Sequence, residues 1–173
     1  TAGRWRTFGA ADGLPGVAVT ALAPDPAGGV WVGTRRGVWH LRDGRATPVR
    51  WPAGVAAPAV AALASDPRGT LWVGTVAEGI VERRPDGTVR RLTVRDGLAN
   101  DRIDALLAER DGTLWVGAYG ARGVARVRGG QVTLVGTEQT ALGGLARAAA
   151  ADTAGAPRRV RGILRNRGGT LWL

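Results

Sequence analysis

The sequence contains no cysteine and a single histidine, His40. Without cysteine there can be no disulfide framework, no thiolate metal ligand and no thiol nucleophile. One histidine would leave mainly oxygen ligands to complete a metal site, so neither a metal nor another cofactor is expected. His40 lies between Trp39 and Leu41 on a predicted strand, where an isolated histidine is more often packed or solvated than catalytic. These absences argue against an enzyme.

Long apolar runs are also missing. No stretch approaches the roughly 20 apolar residues that cross a bilayer, and the opening residues lack the charged, apolar and small-residue pattern of a leader. We therefore expect no membrane segment in this region. The chain opens on Thr1 and closes on Leu173 inside a strand-like run, which suggests a fragment of a longer protein.

Lysine is absent as well, so all 24 basic residues are arginine, and against 14 acidic residues they give a formal net charge of +10. Such a charge would attract nucleic acid or an anionic membrane surface if it were concentrated on one face. The arginines are instead spread along the whole chain. Nucleic acid is therefore not an expected partner.

What the sequence does contain is an internal repeat built around tryptophan. An acidic residue, two variable residues and glycine precede Val/Leu-Trp-Val-Gly at residues 25–34, 66–75 and 109–118, and a truncated copy occupies residues 166–173. The Trp residues of the motif in successive copies are 41, 43 and 57 residues apart. A period of about 40 to 45 residues fits a four-stranded propeller blade and also helical HEAT or armadillo repeats, so the local pattern must decide.

The pattern inside each copy is that of strands. An alternating apolar run precedes each motif, as in Val17, Val19 and Ala21, and alternation is the period of a strand. Asp-Pro-x-Gly then predicts a type I turn, Trp lies in a second strand, and Gly-Val begins a third. Dipeptides at 43–44, 86–87 and 129–130 predict two-residue hairpins to a fourth strand. The sequence therefore predicts an all-β partial propeller of four-stranded antiparallel blades.

We expect a single propeller fragment over residues 1–173, with three full blades and part of a fourth. Its segments are an outer strand of a preceding blade with a linker (1–15), three blades (16–50, 58–94 and 101–135), an Ala-rich insertion (136–159) and a partial blade (160–173). Such a fragment cannot close a ring, so its uncovered faces are expected to associate with remaining blades of the same protein or with a second copy.

The repeated residues are expected to build the scaffold. Each Trp is predicted to wedge between two blades and to bury roughly 150 to 250 Å², and the repeated Asp residues are predicted to form turns. The scaffold set is Trp31, Trp72, Trp115, Trp172, Gly33, Gly74, Gly117, Asp25, Asp66 and Asp111.

The order of these motifs closely resembles the two-component regulator propeller repeat. The resemblance rests on Asp-Gly-Leu-Pro at 12–15, the alternating strand, Asp-x-x-Gly, Leu-Trp-Val-Gly-Thr at 71–75 and Gly-Val at 37–38, and it covers residues 4–135 and part of 160–173. Two copies depart from it: the second enters through Trp-Pro-Ala-Gly-Val at 51–55, and the fourth has Asn166 in place of Asp.

This resemblance implies a ligand-sensing propeller on the periplasmic or extracellular side of a bacterial inner-membrane receptor. Members of the family usually precede a membrane helix and a histidine kinase or a diguanylate cyclase, whose product is cyclic-di-GMP, and their signals are often carbohydrate-derived. A protein–protein interaction scaffold is the alternative function. A propeller lyase or a glycan-active enzyme is a third.

Binding is expected in the loops that follow the second strand of each blade. Variable loops on a fixed scaffold are where binding usually resides, and these loops differ between copies whereas the strands repeat. The candidate ligand-binding residues are Arg35, Arg36, Glu78, Tyr119 and Arg122.

Overall fold

The computed structural model describes residues 5–121, 123–136, 160–165 and 171–172. Within these ranges the fold is all-β. Three antiparallel sheets of four strands follow one another along the chain, and in each sheet the strands lie side by side in chain order. We call these sheets blades 1 to 3. The predicted fold class, a partial propeller of four-stranded antiparallel blades, is confirmed.

Blade 1 comprises β1 (Val19–Pro24), β2 (Val30–Thr34), β3 (Gly37–Arg42) and β4 (Arg45–Pro48). Blade 2 comprises β5 (Val60–Ser65), β6 (Leu71–Thr75), β7 (Ile80–Arg83) and β8 (Val89–Leu92). Blade 3 comprises β9 (Ile103–Ala108), β10 (Leu114–Ala118), β11 (Gly123–Arg128) and β12 (Gln131–Gly136). A shorter pair, β13 (Leu164–Arg165) and β14 (Leu171–Trp172), follows. Single 3₁₀ turns at Ala10–Asp12 and Val94–Asp96 precede blades 1 and 3.

Neighbouring blades meet through their first two strands. β1 packs beside β5, and β5 packs beside β9, whereas the third and fourth strands make few contacts with the next blade. Sheets that approach at one edge and diverge at the other are arranged radially, as in a propeller. The first strands β1, β5 and β9 therefore lie on the side of the propeller axis.

Each first strand contains a β-bulge near its start. In all three blades the pairing with the second strand skips one residue of the first strand, and the skipped residues are Thr20, Ala61 and Asp104. A bulge bends the strand and reorients a side chain. In blade 1, the hydroxyl of Thr20 donates to the carbonyl of Val60 in blade 2 at 2.9 Å. In each blade the bulge thus adds one unpaired residue, whose side chain lies near the propeller axis.

Three of the repeated Trp residues lie between one blade and the next. Trp31 packs against a cluster that includes residues of β6, and Trp72 shares a cluster with residues of β10. Trp115 shares a cluster with Val160 and Ile163, which precede β13. Trp72 and Trp115 are buried, and Trp31 is partly buried. An aromatic side chain of this size covers the apolar face that a single thin sheet leaves exposed. The side chain of Trp172 lies outside the described part of the chain.

The glycine two residues after each Trp lies where neighbouring blades are closest. A Cβ atom built on it would stand 2.5 to 2.8 Å from a side chain of the next blade, in the pairs Gly33–Val60, Gly74–Ile103 and Gly117–Val160. None of the three glycines has a positive φ. Glycine is therefore required at these positions for a steric reason, the close contact between blades, and not for its backbone conformation.

The turn between the first two strands depends on its first residue. The N–H of Gly28 donates to the carbonyl of Asp25 at 2.9 Å, and that of Gly69 to the carbonyl of Asp66 at 3.0 Å. The Asp66 carboxylate also accepts two backbone N–H groups within its turn, at 2.9 Å. In blade 3 this first position belongs to Glu109, whose carbonyl accepts from the turn at 3.2 Å.

Asp111 is therefore not the equivalent of Asp25 and Asp66. It is the third residue of its turn, and its carboxylate accepts the N–H of Thr113 at 3.0 Å. The alignment of the copies likewise places Glu109, not Asp111, at the position of Asp25 and Asp66.

Two further expectations differ from the structure. Five residues, not two, separate β7 from β8: the N–H of Arg84 donates to the carbonyl of Thr88, and that of Gly87 to the carbonyl of Arg84, each at 3.0 Å. Pro85 takes the second position of a type I turn, where its fixed φ is favourable.

No strand forms over the described residues 5–9, because none of the described strands pairs with them. The predicted insertion lies outside the described residues, except for Gly136 at the end of β12.

Candidate functional site

The candidate loops share one end of the blades with the linkers. Because adjacent strands are antiparallel, the loops after β2, β6 and β10 lie at the same end as the linkers that precede β5 and β9. We call this the loop end. The Asp turns between the first and second strands lie at the opposite end, which we call the turn end.

Arg35 and Arg36 are exposed at the loop end of blade 1. Thr34 shapes their loop, since its hydroxyl accepts the N–H of Arg36 at 3.0 Å and donates to the carbonyl of Gly37 at 3.2 Å. Local bonds of this kind stabilise a tight turn. The loop therefore presents two cationic side chains to solvent from a rigid strand end.

Glu78 occupies the corresponding loop of blade 2. Thr75 holds this loop in the same way, accepting the N–H of Glu78 at 2.7 Å and donating to the carbonyl of Gly79 at 2.8 Å. The Glu78 carboxylate lies 3.1 Å from the guanidinium of Arg91 on β8, and both side chains are about half exposed. An exposed ion pair of this kind contributes about 0 to 1 kcal/mol, so it leaves Glu78 accessible to a ligand.

The linker ahead of blade 3 is bonded to the blade 2 loop. The N–H of Gly79 donates to the carbonyl of Asp101 at 2.7 Å, and the Asp101 carboxylate accepts the N–H of Val94 at 2.8 Å. Loop and linker therefore form one connected surface at the loop end.

Tyr119 lies against Arg102 in blade 3. The guanidinium carbon of Arg102 is 4.4 Å from the centre of the Tyr119 ring, a cation–π contact. The N–H of Tyr119 also donates to the carbonyl of Arg102 at 2.9 Å. The Nε of Arg102 in turn lies 3.3 Å from Oδ1 of Asp104. The three residues form a connected cluster, the Arg102–Tyr119–Asp104 cluster.

Asp104 is the bulged residue of β9, and its side chain is 13% exposed. Its second carboxylate oxygen, Oδ2, is buried and has no hydrogen-bond partner among the described residues. A buried acceptor without a donor is costly. Because the oxygen is also closed to solvent, a donor can reach it only if the side chains around it move.

The structure thus joins one candidate, Tyr119, to two residues that the sequence reasoning missed, Arg102 and Asp104. Glu78 pairs within its own blade, and Arg35 and Arg36 extend from blade 1. Arg122 lies outside the described residues. Asp104 occupies the polar position between Ile103 and Ala105 of the alternating strand, so the pattern did not single it out; the other copies have Thr20 and Ala61 at this place.

His40 lies on β3 and contacts the turn between β1 and β2 of its own blade. Its Nε2 is 2.9 Å from Oδ2 of Asp25 and 3.2 Å from the carbonyl oxygen of Gly28, and its ring stacks on Trp31 with centroids 4.3 Å apart. These contacts show that His40 packs between the β1–β2 turn and Trp31. Within the described ranges, no group of three His, Asp or Glu side chains is arranged to hold a metal ion.

A carboxylate in the linker ahead of blade 1 stabilises that linker. Asp12 accepts the N–H of Gly9 at 3.0 Å and pairs with Arg6 at 3.1 Å. The Gly9 hydrogen bond, with a smaller contribution from Arg6, lowers the pKa of the Asp12 carboxyl below its ordinary value. The charged form is therefore the one that caps the 3₁₀ turn.

No helix among the described residues has the length and apolar character needed to cross a membrane.

Comparison with known proteins identifies the repeat. Residues 13–36 match the family model described as Two component regulator propeller, so the predicted resemblance is confirmed. No curated protein sequence matches the chain.

The solved structures that the chain resembles include two extracellular domains from B. thetaiotaomicron. One is assigned to a hybrid two component system (TM-score 0.63, 15% identity, 78% of this chain and 20% of that chain). The other is assigned to a one component system (TM-score 0.64, 15% identity, 93% of this chain and 21% of that chain). The chain thus spans about a fifth of the length of each.

Virginiamycin B lyase from Staphylococcus aureus is also similar, with a TM-score of 0.56, 14% identity, and coverage of 74% of this chain and 44% of that chain. At such identities these likenesses establish a shared propeller fold. Fold alone does not carry activity from one propeller to another.

Proposed function

We propose that the chain is the ligand-sensing part of a bacterial signalling receptor, exposed on the periplasmic or extracellular side, because residues 13–36 match the Two component regulator propeller model. The extracellular domains that share its fold support this placement. In the proposed receptor the output is a histidine kinase or a diguanylate cyclase encoded with the propeller.

The Arg102–Tyr119–Asp104 cluster is the observation that carries the proposal. It places a cation, an aromatic ring and an unpaired buried acceptor together at the loop end, beside the axis. Scaffold positions repeat between blades, whereas these three residues have no counterparts of the same type in blades 1 and 2. Residues that break a repeat at a loop end are suited to recognition rather than to support.

The chemistry of the cluster favours a carbohydrate-derived ligand that carries a carboxylate. The Nε of Arg102 faces Asp104, and its two terminal nitrogens can still bind a carboxylate with paired N–H donors. Arg35 and Arg36 add exposed positive charge at the same end. An acidic sugar would form charge-assisted hydrogen bonds with these arginines, whereas a neutral sugar would form only the weaker bonds to its hydroxyl oxygens.

Titration calorimetry with oligogalacturonides and with malto-oligosaccharides of equal length tests this proposal. We expect the acidic sugar to bind more tightly than the neutral one, with an affinity that falls as salt rises. Arg102→Gln should weaken binding about tenfold to a hundredfold, since a hydrogen bond to a charged group contributes about 1.5 to 3 kcal/mol.

Arg42→Gln is the matched control, because Arg42 is a half-exposed arginine at the turn end that pairs only with its neighbour Asp43 among the described ion pairs. It should leave binding unchanged. Failure of both sugars to bind, or equal losses in the two variants, would contradict the proposed ligand.

Exposed apolar side chains on β1 favour a second candidate, a surface that binds another copy of this chain. Val19 is 50% exposed and Leu22 is 62% exposed, although the matching residues of blade 2, Val60 and Leu63, are buried against blade 1. Light scattering should therefore show association that rises with concentration and is reduced in Leu22→Asp. A monomer at all concentrations would exclude this candidate.

Catalysis is not part of the proposal. The lyase shares a fold with this chain at 14% identity, and His40 is engaged by Asp25 and Trp31 away from the loop end.

A further inference from the structure

An apolar cavity of about 150 Å³ lies between the linker at Leu98 and Ala99 and the face of blade 3 that looks toward blade 2. Leu98, Val116 and Ala125 form buried walls, and Ala99 and Leu134 at its edge are exposed. None of the described residues that line it has a polar side chain. The cavity is therefore an apolar recess with access to solvent.

A small residue on the third strand of blade 3 makes room for this cavity. Ala125 pairs with Val116 across β10 and β11. The same position, opposite the second-strand Val, is occupied by Trp39 in blade 1 and by Val81 in blade 2. Blade 3 therefore has the smallest side chain where the other blades have larger ones.

The linker does not compensate for the missing volume. The linker into blade 2 carries Trp51, which packs against the cluster that contains Val73 and Val81. The linker into blade 3 supplies Leu98 instead, against Ala125. Blade 2 thus combines a larger linker residue with a larger strand residue, and blade 3 has the smaller residue at both places.

A recess that opens to solvent keeps its apolar lining in contact with water, and an apolar ligand that fills it removes that surface from water and adds dispersion contacts. A dry apolar cavity of about this volume binds benzene or xenon in another protein. A charged or strongly polar ligand would leave its polar groups unpaired in such a lining.

We propose that the recess between Leu98 and Ala125 is a binding site for a small neutral apolar molecule, a monocyclic aromatic compound or a branched aliphatic chain end. None of the described lining residues belongs to the Arg102–Tyr119–Asp104 cluster, although Ala118 directly precedes Tyr119. The proposal stands whether or not the chain binds acidic sugars. Its specificity follows from the residue at position 125, because that residue sets the free volume.

NMR titration of the whole chain with toluene tests the proposal. We expect saturable shifts of the Leu98 and Val116 methyl resonances and a rise in Tm. Benzoate, which has the same ring and a charge, should give neither. Ala125→Val places the residue of blade 2 in the recess and should weaken toluene binding at least tenfold, whereas Ala53→Val, in an exposed part of the other linker, should leave it unchanged.

Absence of toluene binding to the wild-type chain, or equal binding by the Ala125→Val variant, would overturn the proposal. A second variant keeps the test decisive if Ala125→Val fails to fold. Leu98→Ala enlarges the recess and should extend binding to naphthalene. A folded Leu98→Ala protein that binds neither naphthalene nor toluene would equally overturn the proposed site.

Discussion

Gly74 of blade 2 lies directly against Ile103 of blade 3, so closely that a Cβ atom on the glycine would stand 2.7 Å from Cγ2 of the isoleucine. Gly74→Ala should therefore force the two blades apart and cost about 1 to 3 kcal/mol of unfolding free energy. Chemical denaturation measures this loss. Gly16→Ala is the control, because its Cβ would meet nothing within 4 Å, and a similar loss there would refute the steric explanation.

Trp72→Ala should cost about 3 to 5 kcal/mol of unfolding free energy. Trp72 is 8% exposed between blades 2 and 3, so its removal leaves a large space in the contact that holds them together. A thermal melt compared with that of Trp5→Ala measures the difference. Trp5 is fully exposed, and its loss should change stability by less than about 0.5 kcal/mol. A loss below about 1 kcal/mol for Trp72→Ala would count against the wedge between blades.

Glu109→Ala should destabilise the contact between blade 3 and β13. The Glu109 carboxylate accepts the indole N–H of Trp115 at 2.7 Å and lies 2.8 Å from the guanidinium of Arg165. Truncation leaves the Trp115 N–H without its acceptor, which should cost about 1 to 3 kcal/mol of unfolding free energy.

The matched control for this prediction is Glu78→Ala, which removes an exposed ion pair with Arg91 and should cost less than about 1 kcal/mol. Urea denaturation of both variants separates the two cases. Equal losses of unfolding free energy in Glu109→Ala and Glu78→Ala would show that burial does not strengthen the Glu109 contacts.

Stability should fall in acid partly through Asp111. The N–H of Thr113 holds the pKa of the Asp111 carboxyl below its ordinary value, with weaker help from nearby arginines. Because the folded-state pKa is the lower one, the stabilisation is present above about pH 4, the ordinary range for Asp, and is lost as pH falls through the folded-state pKa.

Asp111→Asn keeps an acceptor oxygen and removes the titration. Urea midpoints measured between pH 6 and pH 2 should therefore decline less steeply in this variant than in the wild-type chain. An identical decline would assign the acid sensitivity to other groups, of which Asp12 and Asp86 have pKa values lowered in the same direction.

The candidate site was only partly predictable from the sequence. Tyr119 stands out because it breaks a repeat in a loop, where variation is visible by comparing copies. Arg102 and Asp104 belong to the start of a strand, and Asp104 reaches Arg102 because a bulge reorients its side chain. A bulge depends on how two strands pair, and that pairing is not visible in either strand alone.

The sequence by itself determined the elements of this protein. Alternating apolar residues specify its strands, and Pro and Gly specify its turns, because these signals act on the local backbone. Only the tertiary structure decided how the blades contact one another. Gly74 needs to be glycine because Ile103 of another blade lies beside it, and Ala125 borders a cavity because the linker opposite supplies Leu98. Steric fit between residues distant in sequence is a property of the packed blades.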